Sequence, residues 1–313
     1  MKIVCVTDRH TTNGQKTNGV RVAEAMRRAG HVVDIFGHRS MVKEKVAEAD
    51  FILCFGTIMR PPDPHRAKVV SALRDVKRPG STLALWYFDN CTPYREAGGV
   101  KNYSKMKFEL VLSVAPYLDW LITTDGRYDW ANVVRHYLHL PQGVDAAEFR
   151  KEPPPPEPRR YDVVFTGNTK RWSSPRESML KALRAKFRVA AYGPSLGKRA
   201  YGDAFVRAHH EARVAWVPPP RGPQHDYWSN RIYLAAATGT PCVVGHVKGL
   251  EMHYEPGAEI VMYKGDREGI AAIAALRADR ARRKALGDAA RARTLRDHTY
   301  DARVETLMKA VFG

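Results

Sequence analysis

The chain offers several segments whose residue types suggest chemistry, and most of them fail on spacing. Gly193-Pro194-Ser195-Leu196-Gly197-Lys198-Arg199 resembles a phosphate-binding P-loop. It is one residue short and lacks the closing Ser or Thr that would hold magnesium, which argues against ATP hydrolysis. The first loop, Thr7-Asp8-Arg9-His10-Thr11-Thr12-Asn13-Gly14, lacks the Gly-x-Gly-x-x-Gly of dinucleotide enzymes. No Gly-x-Ser-x-Gly elbow occurs, and His209–His210 has no metal-ligand partner at a workable spacing, so these histidines are expected to cap or flank a helix. What remains is a set of aspartates, Asp8, Asp89 and Asp125, each closing a short apolar run. A carboxylate there can serve as a general base or simply as a turn and capping residue.

The elements that must position these residues alternate along the chain. Lys2–Asp8, His31–Gly37, Phe51–Gly56, Leu83–Asp89 and Leu121–Thr124 read as strands buried on both faces. Helical patterns fall between them over Gly19–Ala29, Arg66–Val76, Lys105–Ala115 and Tyr128–His136. Lys151-Glu152-Pro153-Pro154-Pro155-Pro156-Glu157-Pro158 then interrupts the pattern with an extended, stiff spacer. Beyond it the alternation restarts, from strand Tyr161–Thr166 to strand Glu259–Tyr263 and terminal helices. The expected fold class is α/β, with two doubly wound parallel-sheet domains at 1–150 and 161–313 and a linker at 151–160. The carboxyl ends of such sheets would face a ligand cleft.

A length of 313 residues suits two domains, and 44% hydrophobic with 27% charged residues excludes a disordered chain. The net charge of +18 points to a polyanionic partner. Its distribution is uneven: residues 60–107 hold 10 basic and 4 acidic residues, and residues 159–221 hold 14 and 4. This localisation favours an anionic ligand between the domains over a generally basic surface. The four cysteines, Cys5, Cys54, Cys91 and Cys242, form no Cys-x-x-Cys, so neither a zinc ribbon nor a redox pair is expected. No stretch approaches a secretory or membrane-spanning segment, and a cytoplasmic protein is expected.

Four further segments occur in order. They are Leu140-Pro141-Gln142-Gly143-Val144-Asp145, Asp162-Val163-Val164-Phe165-Thr166-Gly167-Asn168, Ser229 to Pro241, and Gly249 to Gly257 followed by Glu259 to Tyr263. With the closing Asp297-His298-Thr299-Tyr300, they make the chain resemble a GT-B glycosyltransferase. The similarity is to the spore-maturation-protein-like branch of the glycosyl transferases group 1. It is carried by residues 140–300, and over the first 135 residues it extends to the fold alone.

The resemblance implies that the second domain binds a nucleoside-diphosphate sugar, with UDP-glucose the default donor. The matching positions are Gly167, Asn168, Lys170, Arg171, Asp226, Asn230, Arg231, Gly249, Leu250 and Glu251. Small residues and free amides at Gly167 and Asn168 would suit a diphosphate, and Lys170 and Arg171 would neutralise the leaving nucleotide without a metal. Arg231 is either a phosphate ligand or a surface arginine, and Glu251 either a hydroxyl acceptor or a first-turn helix acid. Group-1 enzymes carry paired glutamates where this chain has Asp226 and Leu234; Leu234 cannot accept a ribose hydrogen bond, which puts the donor's identity in question. An inverting enzyme also needs a base. Asp89 is favoured over Asp8 and Asp125 because Trp86, Tyr87, Phe88 and Tyr94 flank it within the basic 60–107 segment. The charge makes DNA bearing hydroxymethylated pyrimidines the leading acceptor. The rivals are a cell-surface glycan or lipid-linked acceptor, approached through an apolar-basic helix at Ser104–Trp120, and a non-catalytic nucleic-acid-binding protein on a transferase scaffold.

Overall fold

The computed structural model describes residues 1–7, 16–37, 43–56, 65–89, 91, 95–96, 99–100, 102–126, 128, 130–149, 159–169, 174–219 and 226–313. The chain divides into two compact units, Met1–Gln142 with Tyr300–Gly313, and Gly143–Thr299.

The first unit is built on strands β1 (Lys2–Val6), β2 (Val32–Phe36), β3 (Phe51–Phe55), β4 (Thr82–Tyr87), β7 (Trp120–Thr123) and β8 (His136–His139). A two-residue hairpin, β5 (Arg95–Glu96) and β6 (Gly99–Val100), stands apart from this sheet. The sheet order is β2-β1-β3-β4-β7-β8, and every pair is parallel. Phe51 to Phe55 are all buried, as an uninterrupted apolar run requires when helices cover both faces. The covering helices are α1 (Asn18–Arg28), α2 (Lys43–Glu48), α3 (His65–Val76) and α4 (Asn102–Val114). In α1 the Thr17 hydroxyl caps the Val20 amide at 3.3 Å, while Val22, Ala23 and Met26 go into the core.

The second unit opens with the short α5 (Ala146–Phe149). It has strands β9 (Tyr161–Thr166), β10 (Val189–Tyr192), β11 (Ala212–Val217), β12 (Cys242–Gly245) and β13 (Val261–Tyr263). Their order, β10-β9-β11-β12-β13, is again wholly parallel. Around them lie α6 (Ser174–Lys186), α7 (Asp203–His210), α8 (Arg231–Ala237), α9 (Asp266–Ala278) and α10 (Arg280–Asp297). Each unit thus reverses its winding beside its first strand, and ligands of doubly wound sheets bind beyond the carboxyl ends at such a reversal.

Two expectations are corrected. The segment Tyr128–His136 is no helix: Trp130–Asn132 is one 3-10 turn, with Trp130 and Tyr128 in an aromatic cluster with Phe108. The chain then extends into β8, which adds an edge strand to the sheet. The last helix, α11 (Tyr300–Phe312), belongs to the first unit and not to a second domain reaching residue 313. Tyr300, Val304 and Leu307 are buried beside Met26 and Phe51, each contributing about 1.5–3 kcal/mol of burial. Arg303 also donates to the Pro141 carbonyl at 2.9 Å, and Arg28 pairs with Asp301 at 2.7 Å. The proline segment 151–158 lies outside the described residues. All four cysteines are buried and none forms a disulfide.

Candidate functional site

The parallel sheet of the second unit puts the ends of β9, β10, β11 and β12 along one edge, and the sequence-predicted donor residues converge there. Gly167 follows β9 at the winding reversal. A Cβ on Gly167 would lie 2.8 Å from Arg231 Nη1 and 3.0 Å from the Phe165 ring, so the absence of a side chain lets the guanidinium approach. Gly193, at the end of β10, is held as tightly: a Cβ there would lie 1.7 Å from the Gly167 carbonyl oxygen. The 3-10 turn that follows, Pro194–Leu196, presents the Ser195 hydroxyl to Thr169, accepting its amide at 3.0 Å. The segment that resembles a P-loop is therefore a brace for the Gly167 loop.

Free amides are expected at Gly167 and Asn168, and the structure corrects this for Gly167. The Gly167 amide donates to the Tyr192 carbonyl at 2.8 Å, and the Thr169 amide is taken by Ser195. The Gly249 amide is likewise occupied, donating to the Glu251 carboxylate at 2.9 Å, and the Leu250 amide meets the Val247 carbonyl. Two side-chain atoms here are also uncommitted. Arg231 Nη1 and Asn168 Oδ1 are both buried without a hydrogen-bond partner. Burial lowers the pKa of Arg231 from its ordinary value. A buried guanidinium nitrogen with no acceptor is costly, and an anion at this position would satisfy it.

Asp226 and Gly249 form a second cluster. Asp226 adopts φ 52°, a left-handed conformation uncommon outside glycine, and its amide donates to the Lys248 carbonyl at 2.8 Å. A Cβ at Gly249, itself at φ +97°, would lie 2.3 Å from Asp226 Oδ1. The tight turn therefore requires glycine, with Asp226 packed against Gly249 and the Glu251 carboxylate taking the Gly249 amide. Glu251 is held below the ordinary carboxylate range first by a hydrogen bond from its own amide, then by that from Gly249 against an opposing effect of burial. Its first-turn capping role is thus present, with its exposed side chain still open to further hydroxyls. Leu250, expected among the donor residues, has a fully buried side chain in the core, and only its backbone lies at the turn. Asn230 precedes α8, and its carbonyl accepts from Leu234 at 3.0 Å. Lys170 and Arg171 lie outside the described residues.

Sequence reasoning missed the groups that hold these clusters. Buried Arg176 donates to the Pro219 carbonyl at 2.5 Å and the Asn168 carbonyl at 3.5 Å, tying the ends of β9 and β11 together. Its position two residues into α6, after a basic run, gives no signal that separates it from a surface arginine. Behind both clusters Trp228 Nε1 donates to the Tyr233 hydroxyl at 2.6 Å, and that oxygen lies 3.3 Å from His253 Nδ1. This relay joins the segment carrying Asp226 and Arg231 to the one carrying Glu251. His209 and His210 are buried and bond the carbonyls of Phe205 and Thr238, as helix-end structural groups.

In the first unit Asp89 stands after β4 with an exposed carboxylate, ion-paired with the nearly buried Lys107 ammonium. The aromatic surround expected for it is corrected: Trp86 and Phe88 pack in one core layer and Tyr87 in the other, while Tyr94 lies outside the described residues. Asp125 is fully buried, and its carboxylate accepts the Cys91 amide at 3.1 Å. Asp8 lies outside the described residues. Among the described residues, no group of three or more His, Cys, Asp or Glu side chains could hold a metal ion, and no helix is long and apolar enough to cross a membrane.

Comparison with known proteins agrees with this architecture. Residues 171–309 match a family described as glycosyl transferase-like. Sucrose-phosphate synthase from Thermosynechococcus elongatus superposes with a TM-score of 0.64 at 14% identity, covering 98% of this chain and 97% of that one. T4 phage beta-glucosyltransferase with its UDP-glucose substrate gives 0.65 at 13% identity over 100% of both chains. An alpha-glucosyltransferase in complex with UDP and a 13-mer DNA gives 0.67 at 10% identity, covering 95% and 96%. No curated protein sequence matches the chain. The chain therefore has the GT-B glycosyltransferase fold, and its C-terminal half carries the sequence pattern of a glycosyl transferase-like family.

Proposed function

We propose that the protein is a glycosyltransferase that moves a sugar, glucose from UDP-glucose by default, to a hydroxyl on hydroxymethylated-pyrimidine DNA. The observation that carries the donor half is the buried, unpartnered Arg231 Nη1 beside Gly167, with Asn168 Oδ1 also unpartnered. A diphosphate there supplies the missing acceptor oxygens, and the Asn168 carbonyl oxygen can accept from a donor hydroxyl. Neutralising the leaving nucleotide by arginine gives electrostatic stabilisation without a required metal. On the acceptor side Asp89 takes the hydroxyl proton, the freed oxygen attacks the anomeric carbon, and the nucleoside diphosphate departs.

The relatives support the choice of donor and acceptor, since one is held with UDP-glucose and another with UDP and DNA. A T4 phage enzyme is also held with UDP and Mn2+, so metal dependence is a measurement to make directly. The lipid-linked alternative calls for an apolar-basic exposed helix around Ser104–Trp120. Among the described side chains of 105–120 the exposed ones include the apolar Met106 and Tyr117, but the exposed charges are Lys105 and Glu109, which cancel. The basic face that a membrane would need is missing there, which supports DNA over a membrane.

The test is incubation of the protein with hydroxymethylated DNA and labelled UDP-glucose, with EDTA and with Mn2+. Label on the DNA supports the proposal. Hydrolysis of donor without label on DNA overturns the acceptor, and failure to bind or hydrolyse donor overturns the donor. Activity that vanishes in EDTA and returns with Mn2+ overturns metal independence.

A further inference from the structure

The basic excess of residues 159–221 does not all gather at the donor edge. At the opposite edge of the same sheet, where the strands begin, stands the buried carboxylate Asp162. Strand register makes Arg213 on β11 and Arg188, just before β10, its neighbours on either side. Asp162 Oδ2 accepts the Arg188 amide at 2.9 Å, and Oδ1 accepts Arg277 Nε at 3.1 Å, from the last turn of α9. The Arg188 and Arg213 guanidiniums lie 3.6 and 3.9 Å from the same carboxylate. The exposed Arg160, Arg184 and Lys186 lie close to this group in sequence, as do the carboxylates Glu157, Glu211 and Asp279.

One buried carboxylate needs one counter-charge. Here it meets a backbone amide and three guanidiniums, and Arg188 and Arg277 keep 61% and 49% of their side chains exposed. Asp162 fixes these groups in place without cancelling their charge. Guanidinium groups present forked donors that match phosphate oxygens. Among the described residues of 159–219 the one exposed large hydrophobic is Tyr201, in the connection that follows the carboxyl end of β10, so a bilayer would find charge at the Asp162 edge but no apolar anchor.

We propose that Arg188, Arg213 and Arg277, held by Asp162 and extended by Arg160, bind backbone phosphates of a nucleic acid. This surface lies at the far end of the second unit's sheet from the donor site. It rests on the reading of DNA as acceptor and adds sequence-independent contacts that the transfer chemistry does not require.

The test uses the full chain and an unmodified 20-base-pair duplex, with the dissociation constant measured by fluorescence anisotropy across salt concentration. The Arg188→Gln/Arg277→Gln variant is expected to weaken binding and make the salt slope shallower by about 2, while UDP affinity measured by calorimetry is unchanged. Because Arg277 also supports buried Asp162, an Arg184→Glu/Lys186→Glu variant, which leaves that carboxylate's partners intact, is expected to weaken duplex binding in the same direction. Duplex binding with an unaltered slope in both variants overturns the surface alone. Failure of the unaltered protein to bind duplex overturns the surface together with the DNA reading, whereas duplex binding without transfer to hydroxymethylated DNA overturns only the latter. Binding to phosphatidylserine vesicles that is lost in the variants, with duplex binding retained, assigns the patch to membranes and overturns the proposal.

Discussion

Arg231 Nη1 occupies the space that a side chain at position 167 would begin to fill, 2.8 Å from the missing Cβ, and it has no hydrogen-bond partner there. Such a group costs stability in the free protein, and an anionic ligand offsets that cost. Arg231→Ala is therefore expected to leave the melting temperature unchanged or higher, while UDP affinity falls at least about tenfold, or about 1.4 kcal/mol. Duplex DNA affinity should change much less. Thermal melting paired with calorimetric UDP titration decides it: a lower melting temperature with intact UDP affinity would make Arg231 a structural residue.

The two described aspartates of the first unit separate by environment. Asp89 is exposed and paired with Lys107, whereas Asp125 is buried and accepts the Cys91 amide. Asp89→Asn is expected to lower transfer by about 10²–10⁴ with UDP affinity unchanged, as loss of a general base does. Asp125→Asn should instead reduce the urea midpoint, by about 1–3 kcal/mol of stability, and keep measurable activity below its transition. Full transfer by Asp89→Asn would move the base elsewhere or indicate a retaining reaction.

Much of this was legible in the sequence because parallel strands buried on both faces leave plain apolar runs. Phe51–Phe55 and Tyr161–Thr166 needed no partner to be recognised. The positions of Gly167, Arg231, Asp226 and Gly249 were legible too, since each lies just beyond a strand or before a helix. Hydrogen bonding was not legible, because the Gly167 amide, with no partner close in sequence, is claimed by the distant Tyr192 carbonyl. Nor was the destination of α11, whose apolar stripe fits any open helix-sheet face and is fixed only by contacts such as Arg303 to Pro141.

Burial holds His209 neutral, lowering its pKa to about 4 despite the hydrogen bond to the Phe205 carbonyl. The unfolded chain takes up this proton near pH 6.5 and the folded one only near pH 4. Stability is therefore expected to fall as pH drops through that window, by an upper limit of about 3 kcal/mol from this group. The carboxylates held low, Asp162 by the Arg188 amide and then Arg277 against the opposing effect of burial, and Asp297 by Arg296, lose their contribution mainly below that window. Chemical denaturation at pH 7 and pH 5 should show a smaller difference in His209→Gln than in the unaltered protein. Equal pH dependence in the two would show that His209 is free to protonate in the fold.

Gly287 sits in the middle of α10, where helix propensity alone predicts that alanine would stabilise the chain by about 1 kcal/mol. A Cβ there would meet the Gly239 carbonyl oxygen at 2.1 Å and Pro241 Cδ at 3.5 Å. The contact is with backbone at the turn between α8 and β12, which cannot rotate away as a side-chain tip would. That turn follows the helix that carries Arg231, so displacing it disturbs the position of Arg231 as well as the helix packing. Gly287→Ala is expected to lower the melting temperature and weaken UDP binding together. A more stable Gly287→Ala with unaltered UDP affinity would mean that α10 can withdraw from the turn without cost.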